Sequence, residues 1–272
     1  MKQYIMNTLQ LKLDKLEQSL LDLGSVAIAF SGGVDSTFLL KFAQNTLGDN
    51  VIAITAVSNL YPARETSEAR KFAVDNKIRH IEYAVNELEI EGFAQNPVNR
   101  CYICKKNLFT NFKNIPELHG IPLLEGTNLD DDSDYRPGMQ ATKELGVLSP
   151  LREARLTKAE IRELSREMGL STHDKPSFAC LASRFPYGET ITLEKIRVID
   201  LAEQFLLDLG FKQVRVRHHG YLARIEVSAD EMEKITQAEM RETIYVKFIQ
   251  AGFIYVSVDL RGYRTGSMNE AL

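Results

Sequence analysis

The sequence predicts an α/β protein in two parts: a parallel sheet covered by helices on both faces, then a smaller α+β domain. Three observations predict it. Short apolar runs alternate with helical stretches through the first half of the chain. A glycine-rich hexapeptide stands between the first of those runs and the helix after it. In the last third, a helix–glycine–strand–turn pattern occurs twice, 42 residues apart.

The elements follow in order. Leu9, Leu13, Leu16, Leu20 and Leu23 recur along one helical face, with Gly24 as the expected C-cap. Residues 25–30 (SVAIAF) read as a short buried strand, 31–36 (SGGVDS) as a loop and 37–47 as a helix. A second apolar strand is expected at 51–57. Pro62 suits the first turn of a helix running to about Asn76. Residues 79–84 read as the third strand, 101–119 as helical and 121–125 as the fourth strand. Thr157 followed by Glu160 signals a capping box, for a helix ending near Gly169. Residues 171–190 hold Pro176, Cys180, Pro186 and Gly188 with no clear period, and read as a long functional loop. The domain boundary is therefore expected near residue 190, giving parts 1–190 and 191–272. In the second part, Gly210-Phe211, Val214, Val216 and Gly220-Tyr221 recur as Gly252-Phe253, Val256, Val258 and Gly262-Tyr263. Each set follows a helical stretch, 192–209 and 231–250. Two copies make a pseudo-symmetric domain rather than a solenoid.

Composition narrows the function classes. Lys and Arg number 33 against 37 Asp and Glu, a net charge of −4, which argues against a broad nucleic-acid surface. Three cysteines, an odd number, exclude a fully paired disulfide framework. No apolar run approaches the ~18 residues of a membrane span, and the first ten residues do not read as a signal peptide. A cytoplasmic ligand-binding protein is the expectation.

The hexapeptide Ser31-Gly32-Gly33-Val34-Asp35-Ser36 carries the most chemistry. Gly32 and Gly33 let backbone approach an anion, and the helix after them offers N–H groups and the positive end of its dipole. Ser31 and Ser36 add hydroxyl donors. Asp35 suits Mg²⁺ or loop organisation rather than phosphate. Neither GxxxxGK[ST] nor GxGxxG is present, and a plain glycine-rich turn is the competing reading.

In this context the loop resembles the SGGxDS motif of the adenine-nucleotide α-hydrolase-like, or PP-loop, enzymes. That resemblance implies a Rossmann-like domain that binds ATP with Mg²⁺ and cleaves it between the α and β phosphates. Three further segments narrow it: Asn99-Arg100-Cys101-Tyr102-Ile103-Cys104-Lys105, Glu125-Gly126-Thr127-Asn128-Leu129-Asp130-Asp131, and Lys175-Pro176-Ser177-Phe178-Ala179-Cys180-Leu181-Ala182-Ser183-Arg184. Together they resemble the LarE family, sulfur transferases of nickel-pincer cofactor synthesis, from about residue 8 to 265. The family activity is adenylation of a carboxylate on a pyridinium-3,5-dicarboxylate mononucleotide, then displacement of AMP by sulfur.

The resemblance implies further roles. Ser31, Gly32, Gly33 and Ser36 hold ATP phosphates, and Asp35 supports the metal or the loop; the acidic run 130–134 itself reads as a solvated stretch, or through Asp130 as a second support for Mg²⁺. By their place at the carboxyl edge of the expected sheet, where open α/β sheets bind ligands, Ala56 and Ser58 are expected to face the adenine, and Gly126 and Thr127 to lie along the nucleotide. Cys101, Cys104 and Cys180 hold a [4Fe–4S] cluster, whose open iron carries the sulfur. Family members with only the Cys180 equivalent surrender its sulfur, so sacrificial Cys180 chemistry stays open here. So do zinc with His173 or His119, a redox CxxC, and plain buried thiols. Arg215 and Arg217 share one strand face and suit a nucleotide phosphate, against the reading of a solvated strand. Arg184 suits a substrate carboxylate or a structural ion pair. Glu203 suits a metal or substrate role, or a solvated helix position. A homo-oligomer is implied, a hexamer being one size. The competing enzyme class is a tRNA 2-thiolating PP-loop enzyme.

Overall fold

A computed structural model describes residues 2–133, 137–264 and 266–271, without the side chains of residues 2–7, 133 and 271. Asp134, the last of the acidic run, lies outside the described residues. The chain divides into two units. The first comprises Met1–Asn86 and Asn99–Ser177; the second comprises Glu87–Val98 and Phe178–Leu272. Among the described residues no helix is long and apolar enough to cross a membrane.

The first unit holds α1 (Lys2–Leu23), β1 (Val26–Ala29), α2 (Val34–Leu47), β2 (Val51–Val57), α3 (Ala63–Asp75) and β3 (Arg79–Ala84). After the excursion to the second unit come α4 (Arg100–Lys113), β4 (Leu123–Leu124), α5 (Gly138–Glu144), α6 (Pro150–Glu153) and α7 (Lys158–Glu167). The sheet order is β3-β2-β1-β4, every pair parallel, with Val26 opposite Val51 and Ile28 opposite Ala53. Successive strand residues face opposite layers. Val26 and Ile28 join Leu16, Leu20, Phe38, Leu39 and Leu164 on one side. Ala27, Ile52 and Ile54 join Phe109, Phe112 and Leu118 on the other. This burial on both faces is the α/β architecture expected.

Several edges differ from expectation for local reasons. α2 starts at Val34, because the end of the hexapeptide is already helical. The helix expected to run to 119 stops at Lys113. Pro116 holds Ile115 extended, at φ −67° and ψ 121°, and only a short 3₁₀ turn follows. The fourth strand shrinks to two residues, with Leu148 bridging Leu124. Pro62 caps α3 from outside rather than starting it.

The second unit holds α8 (Leu193–Asp208), β5 (Val214–His219), β6 (Leu222–Val227), α9 (Met232–Thr236), α10 (Ala238–Gln250) and β7 (Tyr255–Val258). Its sheet order is β5-β6-β7; β5 and β6 are antiparallel, β6 and β7 parallel. The two repeat copies therefore share helix, glycine and strand but not pairing. Gly210 (φ 79°) and Gly252 (φ 109°) follow their helices as expected. The helical stretch of the second copy is broken at Gln237, between α9 and α10.

The units part after Ser177, not near residue 190, and residues 87–98 go with the second unit. Backbone bonds explain the grouping. Gly188 N–H donates to Asn96 O (2.9 Å) and Ile191 N–H to Ala94 O (2.8 Å). The buried Asn96 amide donates to Phe185 O (3.3 Å) and Pro186 O (2.6 Å).

Candidate functional site

In the first unit, the hexapeptide lies at the carboxyl end of β1. Gly32 sits at φ 70°, a left-handed conformation that glycine adopts without strain. The two serines close the loop on itself. Ser36 Oγ lies 3.1 Å from Ser31 Oγ, accepts from Ser31 N–H (3.3 Å) and donates to Gly33 O (3.2 Å). Gly33 caps the first turn of α2 without a side-chain hydrogen bond. Gly126 arrives from β4 directly over this turn. A Cβ there would stand 3.0 Å from Ser36 N and 3.3 Å from Asp35 C. The glycine is the condition for that close approach.

Asp35 organises the loop. Its Oδ1 accepts from the Asn128 amide (3.2 Å), and its Oδ2 pairs with Lys158 Nζ. The same turn closes around them. Asp130 Oδ2 accepts from Lys158 N–H (2.8 Å), Asp130 N–H donates to Asn128 Oδ1 (2.9 Å), and Asp131 Oδ2 accepts from Asn128 N–H (3.0 Å). Both carboxylates expected to support Mg²⁺ thus serve the loop and the start of α7. Thr157 and Glu160 form the expected capping box at that start.

The neighbours of the loop are also defined. Ala56 is half-buried in β2, and Ser58 just beyond it accepts from Leu60 N–H (3.1 Å), making a turn. Thr127 donates to Glu125 Oε2 (2.7 Å), and Ser149 donates to Glu125 Oε1 (2.6 Å). Burial would raise the Glu125 carboxyl, but the Lys105 ammonium and these hydroxyls outweigh it and hold it below the usual range. Lys175 Nζ donates to Gly32 O (3.2 Å) and pairs with Glu65 (2.7 Å) and Glu68 (2.6 Å) of α3.

None of the three cysteines is in a disulfide. Cys101 is exposed and Cys104 half-buried near the start of α4, three residues apart and hence on neighbouring positions of one face. Cys180 is half-buried and belongs to the second unit. Among the described residues no three His, Cys, Asp or Glu side chains are grouped for a metal ion. The CxxC pair by itself falls short of a metal site. All three thiols are outside disulfides, and Cys101 and Cys104 stand one helical turn apart.

In the second unit, the four substrate candidates form one buried cluster. Arg184 is fully buried and pairs twice with Glu203, at 2.8 and 2.9 Å. Glu203 also accepts from Val216 N–H (2.9 Å). Burial opposes both charges, and each restores the other: Arg184 lies above its ordinary value, Glu203 below. The solvated helix position expected as one option for Glu203 is excluded. Its neighbours on that face, Ile196, Ile199 and Leu206, are buried with it. The solvated strand is excluded too, because Arg215 and Arg217 are both buried. Arg217 donates to Glu226 (2.6 Å), Ser267 Oγ (3.0 Å) and Ser183 O (3.1 Å). Arg215 lies against the rings of Tyr263 (5.0 Å) and Phe178 (5.9 Å). Burial, then the Arg184 charge, lowers it to about 10.

Sequence reasoning passed over Lys158, Asn128, Glu125 and Lys175 as working groups. One signal for Lys158 was available. A lysine in the first turn of a helix opposes the dipole, and such a conflict asks for an anion nearby.

No family model matches the chain. It is 42% identical over 265 residues, 97% of its length and 99% of the relative's, to an uncharacterized protein of Synechocystis sp.. It is 36% identical over 269 residues, 98% of its length and 97% of the relative's, to the pyridinium-3,5-bisthiocarboxylic acid mononucleotide synthase of Lactiplantibacillus plantarum. It is 29% identical over 202 residues, 68% of its length and 64% of the relative's, to a component of the glutamine-hydrolyzing GMP synthase of Thermoplasma acidophilum.

Proposed function

The chain belongs to the LarE family, of the PP-loop α/β fold, and from that premise we propose that it is an ATP-dependent sulfur transferase acting on a pyridinium-3,5-dicarboxylate mononucleotide. The observation that carries the proposal is the phosphate loop, with Gly126 pressed onto the first turn of α2, which has no side-chain cap. ATP enters as its magnesium complex. Backbone N–H groups of the loop and the Ser31 and Ser36 hydroxyls take its phosphates, while Lys158 and Asn128 hold Asp35 still. Ala56 and Ser58 border the adenine. A substrate carboxylate attacks the α phosphorus, pyrophosphate leaves, and a sulfur nucleophile then displaces AMP from the acyl-adenylate. Two rounds give the bisthiocarboxylate.

Arg215 gains most from the substrate phosphate, because an anion relieves the like charge of Arg184. Arg217 flanks it, already oriented by Glu226. Arg184 and Glu203 brace this strand rather than touch the substrate, since their polar atoms are taken up by each other and by Ala179 O, Ser183 Oγ and Val216 N–H. Cys101, Cys104 and Cys180 would hold a [4Fe–4S] cluster, which supplies an iron open to exchangeable sulfide.

The test is anaerobic incubation with ATP, Mg²⁺, sulfide and the mononucleotide, with iron and labile sulfide counted per chain. AMP, pyrophosphate and thiocarboxylate are expected over repeated turnovers. One turnover with loss of the Cys180 sulfur would assign the sulfur to that residue. Product without AMP would overturn the adenylation. Saturable, specific tRNA binding at physiological salt would favour the competing class.

A further inference from the structure

We propose that Lys175 is the cation that binds the terminal phosphates of ATP, and that α3 stores it for that purpose. The proposal rests on the ATP-dependent reading above and deepens it.

Charge is the starting point. The phosphate loop supplies N–H and hydroxyl donors, but its one charged side chain is Asp35, an anion. Lys158 is committed to neutralising it. The polyphosphate of ATP still needs positive charge. Lys175 Nζ stands 3.2 Å from Gly32 O, one hydrogen bond from the loop backbone.

Its surroundings are built to hold it there. Arg162 of α7 donates to His173 O (2.7 Å) and Lys175 O (2.8 Å), fixing the backbone on either side of Asp174. On the far side, α3 packs on the loop: a Cβ at Gly32 would lie 3.4 Å from Ala69 Cβ. The Lys175 side chain is only 16% exposed. Burial would lower its ammonium, yet Glu65 and Glu68 outweigh that and keep it charged.

The two carboxylates are unequal. Glu65 is 12% exposed, whereas Glu68 is 59% exposed. Two anions for one cation leave an excess negative charge beside a site meant for phosphate. The exposed pair with Glu68 contributes little, so exchanging it for a phosphate oxygen costs little. Glu65 then keeps the ammonium aimed at the loop. A lysine doubly paired merely to tie α3 to the loop would have no need of the second, solvent-facing carboxylate.

The experiment is calorimetric titration of the full chain, its K175M, K175R and E68Q variants, with ATP, inorganic pyrophosphate and AMP. K175M is expected to weaken ATP and pyrophosphate by about tenfold or more, and AMP by no more than about twofold, since AMP lacks the β and γ phosphates. K175R should recover most of the loss. E68Q, which removes the competing anion, should bind ATP as tightly as the parent or tighter. Equal losses for ATP and AMP in K175M, or weaker ATP binding in E68Q, would overturn the proposal. ATP affinity unchanged in K175M would overturn it while leaving the ATP-dependent reading intact. A parent chain that binds no ATP would overturn that reading itself.

Discussion

The phosphate loop and the arginine cluster solve opposite problems. At the loop, the pair that organises it stays partly exposed: Lys158 is 28% exposed and Asp35 21%. In the second unit, Arg184 and Glu203 are 0% and 1% exposed and bonded at every polar edge. A group that receives and releases a highly charged ligand each cycle must exchange partners cheaply. A group that only shapes a pocket gains from partners it never leaves. The comparison predicts that damage in the second unit appears first as lost stability, and damage at the loop first as lost nucleotide binding.

The largest effect should come from Glu203→Ala. It leaves Arg184 charged and buried without its carboxylate, at a cost of about 3–5 kcal/mol. Chemical denaturation should show it. Replacing the pair together, Arg184→Met with Glu203→Leu, should cost clearly less; equal costs would mean that packing rather than charge sets the penalty. Next is Gly126→Ala, whose new methyl meets Ser36 N at 3.0 Å, against backbone that cannot swing aside as a side chain can. About 1–3 kcal/mol of stability should be lost, with ATP binding falling further than stability alone accounts for. An alanine variant that binds ATP normally would show that the turn relaxes freely.

Lys158→Met tests the light side of the comparison. Its ion pair is half-solvated, so stability should change by about 1 kcal/mol or less. ATP-dependent pyrophosphate release should fall by about tenfold, because Asp35 loses its orienting partner. The smallest effect is a pH dependence. Burial lowers His218, between the rings of Phe185 and Phe253, by more than Glu189 raises it. A lowered imidazole value favours the neutral ring in the fold, so the contribution is complete above the unfolded value of 6.5. It is lost as pH falls from there toward the folded value. Melting temperature should drop on acidification from pH ~7.5 to ~5.5, with a shallower slope in His218→Gln; His219 and His80 shift in the same direction and leave a residual slope.

What sequence revealed divides along the same line. The loop was legible because glycine and serine at fixed positions between a strand and a helix encode backbone geometry, and geometry is local. The capping box at Thr157 was legible for the same reason. Lys158 and Lys175 were not, since each acts on the loop across more than 120 residues of chain. Glu203 fell between. Its spacing from Ile196 and Ile199 places it on the apolar face of α8, but only Arg184 explains how a carboxylate survives there. The boundary near residue 190 misplaced the division because periodicity cannot see that Asn96 is claimed by Phe185 and Pro186.

That claim bears on how the protein is made. Asn96 and Phe185 lie 89 residues apart in the chain. At ~5–20 residues per second, the ribosome leaves the strip 87–98 waiting for roughly 5–20 s before its partners exist. During that interval the strip must stay soluble as an unpaired loop. Its charge is sparse but well placed, with Glu87, Glu89 and Glu91 at its leading end and only Phe93 as a large aromatic. A translation pause shortly after residue 100 would lengthen the wait, and one after residue 200 would not.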